Sequence, residues 1–471
     1  MTRDRAQETR AVETRGGEAD DALQRLVEEA VRPVPALAPG SDLSAAALTA
    51  EVNEQTPALG LRVVRPDSRT HVTGATRYAA DLSMPGMLHA AFLPSAHAHA
   101  RIRAIDMTGA AGSPGVVATL TGGEIPVNSF GSTYQDQPIL AVDRVRHRGD
   151  LVAAVAAETE QLAREAVTKI RVDYEPLPAV FDPLEAMSDD APRLHGPSNV
   201  YTSKTIVRGD VERGFAQSDH VFEGRYTTQM IEHAPMEPFA AIAVWEPGGR
   251  VHLTTTLGRI TLARTDLART LGLPVSRIRV TASILGGNFG GKNEIRVEPA
   301  LALLSRKSGL PVKVVYTREE EFASSTVRHP LVADYKTGVT ADGRLVARRV
   351  RLVLDGGAYA SWSETTVGKA AILATGPYRI PNVHVEGCAV YTNKTVGGAM
   401  RGFGAPQVCF AYESQMDEIA HALGIDPLEI RLRNGFQEGA ISPTGQVLEA
   451  VGLTETLQAA ARRAGWPGVG A

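Results

Sequence analysis

The chain has 471 residues, a formal charge of −4 and a hydrophobic fraction of 43%. That length suits two or three domains around a large buried core, and the balanced charge excludes broad attraction to nucleic acid or to an anionic membrane. No apolar run approaches a bilayer span, and two cysteines, Cys388 and Cys409, are too few for a disulfide framework or a cysteine-held iron–sulfur cluster.

Residues 1–60 begin with dense arginine and glutamate and few aromatics, which predicts a disordered charged tail. Within it, Ala22 to Val31 has the spacing of one short amphipathic helix, broken by Pro33, Pro35 and Pro39. The tail has charges but no apolar leader segment, so a cytoplasmic setting is expected.

Residues 61–197 read as a first packed domain. Gly86 to Phe92, Arg101 to Ile105 and Ile170 to Tyr174 are strand-like, and the continuous apolar run Leu151 to Ala156 suits a buried strand. Thr159 is placed to cap a helix whose Leu162, Ala163, Ala166 and Val167 share a face. His89, His97 and His99 lie close in sequence, but no cysteine or tight carboxylate cluster joins them, so structural partners are expected rather than a metal.

Residues 198–440 read as a second domain. His233 and Glu237 fall in His-Ala-Pro-Met-Glu-Pro, where Pro235 and Pro238 oppose a regular helix and predict a rigid buried turn. Val251 to Thr256 predicts a strand, and Thr261 to Leu271 a helix stopped by Gly272. Asp342-Gly343 between two β-rich runs predicts a hairpin. Glu418 to Leu423 ends a helix at Gly424; Asp426, Pro427 and Glu429 then form a capping-box pattern that opens another.

Two glycine-rich stretches dominate this domain. Gly286-Gly287-Asn288-Phe289-Gly290-Gly291-Lys292 sits between a strand-like run, Arg277 to Ser283, and a helix-like run, Ile295 to Lys307. Bare backbone leading into a helix N-terminus would offer amides to an anion or to a metal-bound oxygen. Gly397-Gly398-Ala399-Met400-Arg401-Gly402-Phe403-Gly404 repeats the theme with an arginine added.

Together these two stretches resemble the pterin-contacting signatures of the molybdenum hydroxylases, the xanthine dehydrogenase and aldehyde oxidase family. Val312 to Pro330, Met416 to Asn434, Arg171 to Val180 and His233 to Pro238 extend the resemblance over roughly Arg62 to Leu448. The resemblance implies an α+β or α/β chain: an α/β hammerhead domain (61–197), a first molybdopterin-binding domain (198–440), and, at 441–471, the start of a connection to a second such domain. It implies oxidative hydroxylation of a purine, another N-heterocycle or an aldehyde, with water as the oxygen source. Gly287, Phe289, Gly290, Gly291, Arg401 and Gly402 are then cofactor-binding, with Phe289 and Arg401 nearest molybdenum through their backbone. Asn293, Phe403 and Lys369 fall in the substrate pocket. The cofactor is molybdenum-molybdopterin, as the simple pterin or its dinucleotide. The iron–sulfur clusters and FAD that reoxidise it belong on partner subunits.

The chain departs from the family pattern in three places. Thr255-Thr256-Leu257 stands where a Ser-Thr-Gln triplet is usual, so one donor is lost. Asn293 stands where animal-type xanthine dehydrogenases place a glutamate, and Lys369 where they place a substrate arginine. No residue matches the family's late glutamate base, so no catalytic residue is identified. The chain is expected to need a partner with the second molybdopterin domain, or else to be an inactive scaffold. A third possibility is a phosphate-binding loop: Gly286, Gly291 and Lys292 fit its Gly-x4-Gly-Lys core, but Asn293 replaces the magnesium-binding hydroxyl.

Overall fold

The computed structural model describes residues 65–467. The charged tail and its short helix lie outside the described residues. Those before Arg77 contribute one short helix, Ser68–Val72, and are described by themselves.

From Arg77 onward the backbone builds three sheets. Strands β1 (Leu88–Pro94), β3 (Val116–Thr121), β5 (Leu151–Ala157), β9 (Ala240–Trp245), β10 (Val251–Thr255), β11 (Ile278–Ala282) and β12 (Val312–Val315) form a seven-stranded sheet ordered β11-β10-β9-β12-β1-β5-β3. Strands β7 (Val200–Arg208), β8 (His220–Thr228), β13 (Leu331–Val339), β14 (Leu345–Gly357) and β15 (Asn382–Tyr391) form a second sheet ordered β7-β15-β14-β13-β8. The smallest sheet holds β2 (Ala100–Asp106), β4 (Arg144–Val145) and β6 (Arg171–Pro176). The first sheet draws strands from both sides of residue 197, because β1 pairs in parallel with β12.

Helices cover both faces of the seven-stranded sheet: Ala91, Ala153 and Val155 face one helical layer, and Ala90, Phe92, Ala154 and Ala156 face the other. Helix α1 (Glu160–Val167) is capped by Thr159, whose side chain accepts from the Leu162 amide, and it buries Ala163, Ala166 and Val167 against β1 and β5. Helices α2 (Ile260–Leu271) and α3 (Glu298–Ser308) pack Leu267, Ala300, Leu301 and Leu304 into the core of the first sheet. Helices α4 (Ser363–Leu373) and α5 (Ala405–Leu423) seal the second with Val367, Ala370, Val408 and Ile419. Gly272 and Gly424 close α2 and α5 in the left-handed conformation that spares them a Cβ clash. The β13–β14 hairpin turns at Gly343, with φ 81°.

Two local expectations need correction. At helix α6 (Pro427–Asn434), Asp426 accepts from the Leu428 and Glu429 amides, but Glu429 pairs with Arg433 one turn on instead of reaching back, so only half the capping box forms. Helix α3 starts at Glu298 rather than Ile295, and the Glu298 carboxylate turns back to accept from the Arg296 amide, ahead of the helix, at 2.6 Å. The first glycine loop therefore does not open directly into a helix N-terminus. A small turn over Ile441 to Val447 and helix α7 (Leu453–Ala464) complete the described chain.

Candidate active site

The two glycine loops leave different sheets and meet. The first follows β11 of the seven-stranded sheet, and the second follows β15 of the five-stranded sheet. The Arg401 amide donates to the Phe289 carbonyl at 2.8 Å, so the loops are joined residue to residue. The glycines permit that junction. A Cβ on Gly290 would lie 2.5 Å from the Ala399 carbonyl oxygen, one on Gly286 2.5 Å from Glu237 Cβ, and one on Gly291 2.8 Å from the His233 ring. Bare backbone at these positions thus serves the contact of protein with protein, not only access for a ligand as the sequence suggested.

The His-Ala-Pro-Met-Glu-Pro turn latches both loops through His233, Pro235 and Glu237, which are buried, while Ala234 and Met236 are exposed, so the turn is not buried throughout as expected. His233 Nε2 is 2.7 Å from the Ala399 carbonyl, and Glu237 accepts from the Gly286 amide at 2.8 Å. The Lys292 ammonium is fully buried, donating to the Glu237 carbonyl at 2.7 Å and to its carboxylate at 3.0 Å. Burial lowers the ammonium's pKa, and Glu237 opposes that shift. A lysine turned inward onto a carboxylate cannot reach a phosphate, which removes the nucleotide-binding alternative. Asn288, unremarked in the sequence, shapes the first loop: its side-chain oxygen accepts from the Gly290 and Lys292 amides.

Backbone strain is concentrated here. Among the described residues, five that are not glycine hold positive φ, and four of them are Ala234 (43°), Phe289 (51°), Ser361 (43°) and Phe403 (47°). Such conformations cost roughly 1–3 kcal/mol each and persist only where the surroundings impose them. In front, Phe289 is 48% exposed and Arg401 is exposed. The Arg401 amide is already used on Phe289. The amides of Phe289, Met400 and Gly402 have no acceptor among the described residues, and neither does the Arg401 guanidinium. An anionic, oxygen-rich group fits such a wall of free donors and fixed charge.

The other predicted positions divide. Asn293 is half-buried beside the loop, its side-chain oxygen 3.4 Å from Asn288 Nδ2. Phe403 is half-buried and meets the Trp362 ring edge-on at 6.1 Å. Lys369 is exposed on α4, the helix whose Thr366 and Ala370 pack under Gly404. Leu257, in the place of the lost donor, is fully buried in the core. Of the histidines, His99 Nδ1 lies 2.5 Å from the Pro178 carbonyl and His97 tilts against the Tyr174 ring at 4.9 Å. Among the described residues no group of three or more His, Cys, Asp or Glu could hold a metal.

Three further residues were not singled out in the sequence. Arg259 lies over the Trp362 ring at 4.7 Å. Glu294 is buried behind the first loop, accepts from Ser361 at 2.7 Å, and its other oxygen has no partner among the described residues. Burial pushes its carboxyl up to about 7, while Ser361 and Arg296 pull the other way. His329 is buried under Gly397 with its Nε2 2.7 Å from the Ser363 hydroxyl, and burial drives it down to about 3, so it stays neutral.

A molybdopterin cofactor-binding domain family matches residues 194–435, and the a/b hammerhead domain of aldehyde oxidase and xanthine dehydrogenase matches residues 73–178. The nicotinate dehydrogenase large molybdopterin subunit of Eubacterium barkeri is 41% identical over 408 residues, covering 86% of this chain and 96% of that one. A probable xanthine dehydrogenase subunit of Bacillus subtilis (strain 168) is 41% identical over 414 residues, covering 86% of this chain but 56% of its relative. Among solved structures, the aldehyde oxidoreductase from Desulfovibrio gigas superposes with a TM-score of 0.82 at 32% identity, over 85% of this chain and 46% of that one. Quinoline 2-oxidoreductase from Pseudomonas putida 86 gives 0.80 at 32% identity, over 86% and 54%. The chain thus spans nearly all of one relative and about half the length of the other three.

Proposed function

Since the chain belongs to the molybdenum hydroxylase family of xanthine dehydrogenases and aldehyde oxidases, as a hammerhead domain followed by a molybdopterin-binding domain, we propose that it forms one wall of the cofactor and substrate cleft of a multi-subunit hydroxylase. The observation that carries this is the Arg401–Phe289 backbone bond, which fuses the two glycine loops into one surface. When bound, molybdenum-molybdopterin supplies oxidative hydroxylation with water as the oxygen source.

The chain's own residues bind and orient. The free Phe289 amide donates towards the cofactor, and the Arg401 guanidinium balances its negative charge. Gly287, Gly290, Gly291 and Gly402 keep the wall narrow enough for that approach. Phe403 gives a flat substrate an aromatic face, while Asn293 and Lys369 offer it hydrogen bonds. Glu294 is not assigned as the base, because it is buried behind the loop and bonded to Ser361. The substrate class proposed is an N-heterocycle, with aldehydes second. We place the boundaries at 1–60, 61–197, 198–440 and 441–471, and the complex in the cytoplasm. Its partners in this proposal are an iron–sulfur subunit, an FAD subunit and a chain with the second molybdopterin domain.

Co-expression with such partners tests the proposal. The purified complex should hold stoichiometric molybdenum and transfer oxygen from labelled water to an N-heterocycle. A complex that assembles but takes up no molybdenum would make this chain a scaffold and defeat the reading.

A further inference from the structure

We propose that a pocket lined by four arginines, at the end of the five-stranded sheet away from the cleft, binds a phosphate monoester with a ring-sized apolar body. The pocket has a volume of about 360 Å³, room for one small molecule. Strand β15 runs from this pocket towards the second glycine loop, and its ten residues put the two about 30 Å apart. The pocket is thus separate from the cleft, and the inference stands whatever fills the cleft. Asn434 organises it. Its side-chain oxygen accepts from the Leu345 amide and its side-chain nitrogen donates to the Gly343 carbonyl, both at 2.8 Å, which pins the β13–β14 hairpin to the end of α6. The Asn434 carbonyl accepts from the Arg379 amide at 2.8 Å and brings in the segment before β15. Arg344 of the hairpin, Arg433 of α6, Arg379 and Arg208 at the end of β7 then line one hollow.

Two of these arginines are neutralised and two are not. Arg344 donates to the Asp342 carboxylate at 3.1 Å, and Arg433 to that of Glu429 at 2.9 Å. Arg208 and Arg379 have no carboxylate partner among the described residues and are held by neutral oxygens instead. Arg208 donates to the Ile441 and Ser442 carbonyls; Arg379 donates to the Arg433 carbonyl at 2.8 Å and to the Gln437 side chain at 3.2 Å. These bonds fix both guanidiniums and leave further N–H groups unused. The buried Arg379 Nε has no acceptor among the described residues. Both side chains are half-buried, so water screens their charge less than at an open surface. Two uncancelled positive charges match a phosphate monoester, which carries close to two negative charges at neutral pH and offers three acceptor oxygens. A carboxylate carries one charge and leaves half of the field unbalanced. Fixed guanidinium forks also suit two-pronged contacts to phosphate oxygens. Pro381 and Ile441 line the same hollow and are exposed, so a bare phosphate would leave them in water, whereas an apolar body on the ester covers them.

Phenyl phosphate, inorganic phosphate and benzoate serve as probes, titrated calorimetrically into the purified full-length chain. Phenyl phosphate should bind at one site and raise the melting temperature. Benzoate, with its single charge, should bind roughly tenfold more weakly or worse. Inorganic phosphate should also bind more weakly than the ester. Arg208→Gln and Arg379→Gln should each weaken phenyl phosphate roughly ten- to hundredfold, the range of a hydrogen-bonded charge. Arg379→Lys should recover part of that loss. Arg225→Gln, which removes an arginine paired with Asp334 elsewhere on the same sheet, should leave the affinity unchanged. Melting curves without ligand show that each variant is folded; should Arg379→Gln fail to fold, Arg208→Gln decides. Three results would overturn the proposal: no saturable binding of phenyl phosphate, equal affinity for benzoate or inorganic phosphate, or an equal loss from Arg225→Gln.

Discussion

Gly290 shows how little room the junction of the loops has. Its φ is 109°, and an added Cβ would press to 2.5 Å of the Ala399 carbonyl, which is backbone and cannot step aside. Gly290→Ala should therefore cost about 1–3 kcal/mol of stability from left-region strain alone, read as a lower melting temperature of the full chain. An unchanged melting temperature would mean that the loops separate freely. Glu294 gives a pH test. Its folded carboxyl sits at about 7 against an ordinary 4.5, so the folded state holds a proton that the unfolded chain has released. That stabilisation is complete below pH 4.5 and is lost as the pH rises through 7. Glu294→Gln should match wild type near pH 5 and exceed it near pH 8, by on the order of 2 kcal/mol. Melting temperatures at the two pH values check this; a parallel offset at both would contradict it.

Elements decide what could be read in advance. The glycine density of 286–291 and 397–404 announced close backbone approach, and Thr159, Gly272, Asp342-Gly343 and Asp426 announced caps and turns through local chemistry that needs no tertiary partner. The Arg259–Trp362 stack joins residues about a hundred positions apart and leaves no periodic trace. Lys292 left an alternative open that Asn293 already weakened: its spacing fits a phosphate loop, and its burial on Glu237 shows that it faces inward. The apolar run from Ile295 is longer than helix α3, which begins at Glu298, because Ile295 and Val297 are buried in the same core before the helix starts. The Lys292–Glu237 pair makes the turn and the loop one unit. Lys292→Met strands a buried carboxylate and should cost roughly 3–5 kcal/mol. The double change with Glu237→Gln should recover part of that in denaturant unfolding, while additive losses would show that the two side chains are uncoupled.

At the scale of the molecule, the site lies on a seam. One loop belongs to the seven-stranded sheet and the other to the five-stranded sheet, and the second is placed through His233, His329 and the Arg401 amide. Each sheet has its own buried core, so neither loop can shift without disturbing a packed layer. That rigidity suits a wall presenting fixed donors, because donors held in place need no reorganisation when charge develops before them. The most direct measurement is the position of molybdenum in crystals of the assembled, loaded complex, located by its anomalous scattering. The peak should stand in front of Phe289 and Arg401, on the side of the free Phe289 amide. A peak remote from both loops would contradict the account.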